Sequence, residues 1–251
     1  MGCAVVIAEI HKVRHRAKRA LYDQTLPFLA ALYRYNADDS SGWLLRALGI
    51  ADPTYRTDFY TLTRIIDSID APGGTIAECG VYRGSTLLGM AHRLRTRGLK
   101  MDLIGFDSFE GFPEPDREDA LPDGTYHPQA IKGVFNDAQY NELVRKIRLL
   151  GYSNNIRLVR GYFEDTLIRF KGMRFSLVHL DCDLYQSYMT CLKFFYSRIV
   201  PGGYIVFDEY DFSRAVYPRA EKAIDSFLAD KSEKLMRFSD ATSPRYFICK
   251  Q

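Results

Sequence analysis

The 251-residue chain has no apolar run as long as the roughly 18 residues that a membrane-spanning helix needs. Its first residues also lack the charged stretch followed by an apolar stretch that marks a secretory signal. Met1-Gly2-Cys3 suggests acylation, but Val6 stands where the myristoylation pattern requires Ser or Thr. We therefore expect a cytoplasmic protein that does not bind a membrane.

Cysteines are few and scattered. The chain has five, none of them in a C-x-x-C pair, and an odd number argues against a disulfide framework. Free thiols of this kind are typical of a reducing compartment. The net charge of +3 is too small to indicate nucleic acid binding, although residues 11–19 are rich in His, Lys and Arg. We interpret that basic segment as a solvated helix face.

Hydrophobic residues make up 47% of the chain, which is enough to bury a substantial core. Apolar residues at helical spacing predict helices over 6–35 and 57–69, with a loop at 36–42 and a turn at 71–74 between helical and sheet regions. We predict an N-terminal helical extension or lid over 1–70 and an α/β core domain over 71–251.

A strand, a helix and a second strand are predicted at Thr75–Cys79, 85–97 and 101–106, which is the order of a βαβ unit. The turn between the first strand and the helix contains Gly80 and Gly84, which permit a tight turn and close approach of a ligand. Asp107 follows the second strand, where an acidic residue accepts hydrogen bonds from ribose hydroxyls. Together these features predict a ligand that contains adenosine.

Four acidic residues follow two further predicted strands, Phe175–Leu180 and 202–207. They are Asp181, Asp183, Asp208 and Glu209. Side chains alternate along a strand, so Asp181 and Asp183 are expected to share one cleft at the carboxyl edge of a parallel sheet. Carboxylate oxygens favour a hard ion such as Mg²⁺. The structural alternative is that each acid caps a helix or forms a turn.

A long polar insertion begins after Asp107 and runs to about residue 128, and insertions of this length are often functional lids. The alternative is an ordinary surface loop. An amphipathic helix is then predicted over 135–150 and a strand over 156–159, followed by a turn in which Tyr162 and Phe163 either stack on a purine or pack in the core.

Five segments lie in a consistent order between residues 54 and 228: 77–84 (AECGVYRG), 107–113 (DSFEGFP), 161–167 (GYFEDTL), 181–185 (DCDLY) and 201–210 (PGGYIVFDEY). In this order they resemble the macrocin O-methyltransferase (TylF-like) family. The resemblance implies a Rossmann-like class I methyltransferase fold, with a mostly parallel sheet and helices on both faces. It also implies a transferase that uses S-adenosylmethionine and Mg²⁺ to methylate a hydroxyl of a sugar or glycoside in antibiotic biosynthesis.

The same resemblance implies roles for individual residues. Asp181, Asp208 and Glu209 would ligate the metal, and Asp183 would be the general base. The residues expected to contact the cofactor are Glu78, Gly80, Tyr82, Gly84, Ser85, Asp107, Ser108, Gly161, Phe163 and Asp181. We also expect a homo-oligomer whose other partner is a small glycoside or sugar acceptor.

The chain departs from the family pattern at three places. The family usually has Asp-Asp at 208–209, Arg at 179 and Ser-Thr at 187–188, where this chain has Asp208-Glu209, His179 and Ser187-Tyr188. Two other functions remain open: a nucleotide-dependent oxidoreductase of Rossmann type, and a non-catalytic partner that keeps the fold. The oxidoreductase leaves the four acids unexplained, and Glu209 is the one feature that favours the non-catalytic protein.

Overall fold

The computed structural model describes residues 2–35, 42–53, 56–69, 74–121, 123–210, 218–239 and 245–251, without the side chains of 2–16 and Pro218. The described residues contain one six-stranded sheet. Its strands are β1 (Thr75–Cys79), β2 (Leu103–Asp107), β3 (Ile156–Arg160), β4 (Phe175–Leu180), β5 (Ile199–Phe207) and β6 (Tyr246–Cys249).

The strands are arranged in the order β3-β2-β1-β4-β5-β6, and every neighbouring pair is parallel except β5 and β6. From β1 the chain moves outward to β2 and β3 and then returns to place β4 on the other side of β1. Ligands of open α/β sheets bind beyond the carboxyl ends of the strands at such a reversal. The reversal between β1 and β4 therefore marks the expected position of the site.

Helices cover both faces of this sheet. They are α1 (Gly2–Tyr35), α2 (Gly42–Ala47), α3 (Tyr60–Asp67), α4 (Ser85–Thr96), α5 (Tyr140–Leu150), α6 (Phe163–Thr166), α7 (Tyr185–Phe195) and α8 (Pro218–Leu228). Residues of α1 to α5 form one buried apolar cluster with the sheet, and residues of α6 to α8 form a second cluster. Neighbouring residues of β1, such as Ile76 and Ala77, belong to different clusters because strand side chains alternate.

The N-terminal extension packs on the same core as the sheet helices. Leu26, Ala30 and Tyr33 of α1 are buried in the first cluster. The Tyr33 hydroxyl lies 2.9 Å from His92 Nδ1 and is also hydrogen-bonded to the Tyr152 hydroxyl. Among the described residues no helix has both the length and the apolar character needed to cross a bilayer. A lid role for the extension stays a prediction.

The predicted strands at β1 and β4 are confirmed with their bounds, whereas the bounds of two other elements need correction and one strand was not predicted. The helix predicted over 135–150 begins only at Tyr140, because Phe135 has a φ of 66° and Gln139 is extended, with φ −108° and ψ 104°, and a right-handed helix excludes both conformations. β5 begins three residues before residue 202, and the antiparallel strand β6 was not predicted. The predicted loop at 36–41 and turn at 71–73 lie outside the described residues.

Candidate active site

A cavity of about 310 Å³ opens at the carboxyl ends of β1 to β4. Its walls come from the turns that follow these strands, from the insertion after β2 and from the segment before α3. The lining residues are Arg56, Gly80, Tyr82, Asp107, Ser108, Gly111, Phe112, Pro113, Phe135, Gly161, Tyr162, Phe163, Glu164, Asp181, Cys182, Asp183 and Ser187. The cavity therefore lies at the β1/β4 reversal.

Three carboxylates converge at the ends of β4 and β5. One oxygen from each of Asp181, Asp208 and Glu209 lies within 4.8 Å of the others. Burial and the negative charge of its neighbours raise the pKa of Asp181, and burial with the charges of Asp183 and Asp208 raises that of Glu209. A divalent cation would relieve this repulsion, and oxygen-only donors suit Mg²⁺. The three side chains therefore fit a metal of this class.

Asp208 differs from the other two because two cationic groups hold it. Arg245 donates from Nε to Oδ1 at 2.7 Å and from Nη2 to Oδ2 at 3.1 Å, and His179 Nε2 lies 3.6 Å from Oδ1. Burial opposes ionisation of Asp208, but these two partners lower its pKa to about 2. Asp208 therefore stays ionised across the physiological range.

His179 connects this carboxylate to a second one. Its Nδ1 lies 3.1 Å from Glu78 Oε1, and both side chains are almost fully buried. Burial disfavours the charged imidazole, yet the nearby carboxylate of Asp208 and the hydrogen bond with Glu78 raise the pKa of His179 to about 10. The ring is therefore an imidazolium between two acids, and Glu78 lies behind the cavity and not in its lining.

The series of charges continues into the N-terminal extension. Arg245 Nη2 lies 3.6 Å from Asp58, whose carboxylate also accepts two hydrogen bonds from Arg56. The resulting series of alternating charges, here called the charge ladder, is Arg56, Asp58, Arg245, Asp208, His179 and Glu78. It joins the segment before α3 to β6, β5, β4 and β1.

Glu209 is held by Tyr188 of α7. The Tyr188 hydroxyl is hydrogen-bonded to Glu209 Oε2 and lies 2.8 Å from the Leu180 carbonyl oxygen. A phenol has one proton, so it donates to only one of these acceptors at a time. Burial and the charges of Asp183 and Asp208 raise the pKa of Glu209, whereas the hydrogen bond donated by Tyr188 favours its carboxylate form.

Asp183 lies beside Asp181 in the cavity lining, and β4 has already ended at Leu180. The backbone turns sharply here, and Asp183 has a φ of 60°, in the left-handed region. The two acids therefore reach one cleft through this turn and not through strand alternation. Burial and the charges of Asp181 and Asp208 raise the pKa of Asp183, which favours a proton acceptor.

At the other end of the cavity, Asp107 is bound by backbone groups. Its Oδ2 accepts from the N–H groups of Val81 and Tyr82, each at 2.8 Å, and its Oδ1 accepts from the N–H of Phe109 at 2.6 Å. Asp107 thus fixes the glycine turn as well as lining the cavity. Two carboxylate oxygens offer about four acceptor positions, so a ribose hydroxyl still has a position to bind.

Most of the other predicted cofactor residues also line the cavity. Gly80 has a φ of 88°, and a Cβ there would lie 1.7 Å from the Asp181 carbonyl oxygen, so only glycine allows the ends of β1 and β4 to approach. Tyr82, Ser108, Gly161 and Phe163 lie in the lining as well.

Besides Glu78, two predicted cofactor residues lie outside the lining. Gly84 is the left-handed residue that precedes α4, and a Cβ there would meet the Leu143 side chain at 2.4 Å. Ser85, the first residue of α4, accepts the backbone N–H of Ala51 at its carbonyl oxygen. Both residues position the turn.

The insertion after β2 covers part of the cavity. Phe135 makes edge contacts with Tyr82 and Phe112, with ring centroids 5.3 Å and 5.2 Å apart. Sequence reasoning did not single out Arg56 or Arg245, because neither belongs to a motif. Tyr188 stood out only as a departure from the family pattern.

Comparisons with known proteins agree with this geometry. A family model described as macrocin O-methyltransferase (TylF) matches residues 56–236. The chain is 30% identical over 142 residues to a tetracenomycin 4'-O-methyltransferase of Streptomyces olivaceus, covering 56% of this chain and 54% of that protein. The name of that enzyme describes a substrate with a dimethoxyrhamnosyl group. It is 28% identical over 153 residues to the mycinamicin III 3''-O-methyltransferase of Micromonospora griseorubida, covering 56% and 57%.

The chain spans about half the length of these curated relatives. Among solved structures, that of the O-methyltransferase NovP is similar with a TM-score of 0.66 at 19% identity, covering 88% of this chain and 99% of that one. At this level of identity the likeness shows the fold.

Proposed function

The chain belongs to the macrocin O-methyltransferase (TylF) family and has its class I methyltransferase fold, and from this premise we propose that it methylates a hydroxyl of a sugar or glycosylated small molecule. S-adenosylmethionine would be the methyl donor and Mg²⁺ the metal. The observation that carries the proposal is the cluster of Asp181, Asp208 and Glu209, of which Asp181 lines the cavity that also contains Gly80 and Asp107.

The cofactor would lie across the ends of β1 and β2. Gly80 lines this part of the cavity, and Asp107 offers its remaining acceptor positions to the ribose. The sulfonium methyl group is already activated, so the protein mainly has to orient donor and acceptor in line. The aromatic contact between Phe135 and Tyr82 would exclude water from this region.

Asp181, Asp208 and Glu209 would hold the metal. When bound, Mg²⁺ lowers the pKa of an acceptor hydroxyl and orients its oxygen. Arg245 and His179 keep Asp208 ionised and in place, so that one ligand is charged before the ion arrives. Because burial and the charges of Asp183 and Asp208 raise the pKa of Glu209, metal affinity should increase with pH.

Asp183 would take the proton of the acceptor hydroxyl. It lines the cavity beside Asp181, and its raised pKa brings its basicity closer to that needed near neutral pH. No protein nucleophile is needed, since the methyl group passes directly from sulfur to oxygen.

The acceptor class is inferred from the relatives, which are named as O-methyltransferases of a rhamnosylated tetracenomycin and of mycinamicin III. Both suggest a glycoside in natural-product biosynthesis as the acceptor. Cytoplasmic location and a homo-oligomer stay predictions.

Calorimetric titration with S-adenosylhomocysteine, with and without Mg²⁺, followed by a screen of deoxysugar glycosides, tests the proposal. We expect saturable cofactor binding in both conditions, and methyl transfer that EDTA abolishes and Mg²⁺ restores. Full activity in excess EDTA would contradict the proposed role of the metal. Binding of NAD in place of S-adenosylhomocysteine would indicate an oxidoreductase.

A further inference from the structure

The cavity contains one basic side chain and several acidic ones. Among the lining residues, Arg56 is the only Lys or Arg, whereas Asp107, Glu164, Asp181 and Asp183 are all carboxylates. A ligand with a negatively charged group would be repelled from most of this surface. Arg56 is the one position in the lining where such a group meets a fixed opposite charge.

Asp58 holds the Arg56 guanidinium in place and uses only some of its N–H groups. Its Nε donates to Asp58 Oδ1 at 3.1 Å, and its Nη2 donates to Oδ2 of the same carboxylate. This pairing uses two of the five N–H groups of a guanidinium. The side chain is 35% exposed, so the remaining N–H groups can reach a ligand in the cavity.

Two further charges locate Arg56 within the cavity. The hydrogen bond to Asp58 raises its pKa, and so do the negative charges of Asp208 and Asp181, although burial opposes them. Through the contacts of Asp58 with Arg245 and of Arg245 with Asp208, Arg56 lies near the end of β5. For a cofactor whose ribose is at Asp107, this is the end where the amino-acid part would lie.

We propose that Arg56 binds the methionine carboxylate of S-adenosylmethionine. The inference rests on the proposed function and adds a positioning residue for its cofactor. That carboxylate is the only anionic group of the ligand, and without Arg56 it would face Asp181 and Asp183. Asp58, with Arg245 at 3.6 Å on its other side, fixes the orientation of the guanidinium before the ligand arrives.

The test compares two ligands on four proteins by calorimetric titration. S-adenosylhomocysteine carries the carboxylate, and S-adenosyl-3-thiopropylamine lacks only that group. The proteins are the wild type, Arg56→Gln, Arg56→Lys and Arg64→Gln. Arg64 is a matched control because it lies on the next helix with its guanidinium over the Phe238 ring, outside the cavity lining.

Arg56→Gln should weaken S-adenosylhomocysteine binding by about 10- to 100-fold, the range for a hydrogen bond between charged groups, and leave S-adenosyl-3-thiopropylamine within about twofold. Arg56→Lys should recover part of the loss, because an ammonium keeps the charge and loses the planar geometry. Arg64→Gln should change neither affinity.

Equal losses for both ligands, or no loss for either, would overturn the assignment of Arg56 and leave the proposed function standing. If wild-type protein bound neither ligand, the proposed function would fail with it. Urea unfolding of each variant identifies a loss of affinity that comes from misfolding. If Arg56→Gln misfolds, the affinities of Arg56→Lys decide the assignment, since an ammonium can still pair with Asp58.

Discussion

Replacement of Arg245 should destabilise the protein through Asp208. Arg245 is 3% exposed and makes two hydrogen bonds to the Asp208 carboxylate. Arg245→Gln would leave that half-buried carboxylate, whose side chain is 23% exposed, with His179 as its remaining cationic contact. The variant should therefore lose stability by the cost of an uncompensated charge and not only by the loss of two contacts.

The magnitude follows from the pKa of Asp208, which is about 2 in the folded protein and ordinarily 3.8. Since one pKa unit corresponds to about 1.4 kcal/mol, ionisation of Asp208 contributes roughly 2–3 kcal/mol, shared between Arg245 and His179. This contribution is fully present above pH 4 and is lost as the pH falls toward 2. Breaking a buried pair typically costs about 3–5 kcal/mol. We expect Arg245→Gln to lower the free energy of unfolding by about 3 kcal/mol at pH 7.

The coupling free energy between Arg245 and Asp208 can be measured by urea unfolding at pH 7 in EDTA. The four proteins are the wild type, Arg245→Gln, Asp208→Asn and the double variant. The double variant should be about 1.5–3 kcal/mol more stable than the sum of the single losses predicts. Additive losses would refute the reasoning, because they would mean that the two side chains do not stabilise each other.

Three further outcomes are expected. Asp183→Asn should lower kcat by about 10²–10⁴ while the affinities for Mg²⁺ and cofactor stay nearly unchanged, and loss of metal binding with normal kcat at saturating Mg²⁺ would instead make Asp183 a ligand. Asp107→Asn should weaken S-adenosylhomocysteine and lower the melting temperature, because an amide loses one acceptor for the turn N–H groups; unchanged values in both measurements would contradict this role. Glu209→Asp restores the usual family pair and should retain or tighten Mg²⁺ binding, measured by calorimetry. Loss of Mg²⁺ binding in this variant would show that the longer side chain is needed.

Features that depend on neighbouring residues could be predicted from the sequence. The strand β4 is a continuous apolar run, and its acids follow directly, so both the strand and the position of Asp181 are visible locally. The order of five motifs then indicated the family and the fold.

Features that depend on contacts between residues far apart in the sequence could not be predicted. Arg245 is 37 positions from Asp208, and the antiparallel strand β6 that directly follows it has only four residues. Arg56 precedes the core domain and has no motif around it. Asp107 shows a subtler limit, since its position suggested ribose binding and its three backbone partners become visible only when the turn is folded.

The left-handed backbone at Asp183 restricts what can replace it. Gly, Asn and Asp adopt this conformation most readily, and a β-branched side chain would strain the turn. Alanine at this position would thus combine a missing carboxylate with a distorted backbone, whereas Asn or Gly would change the chemistry alone. A relative that had lost the reaction but kept this turn would accordingly carry Asn or Gly at the corresponding position, which makes one residue a simple marker of inactive members.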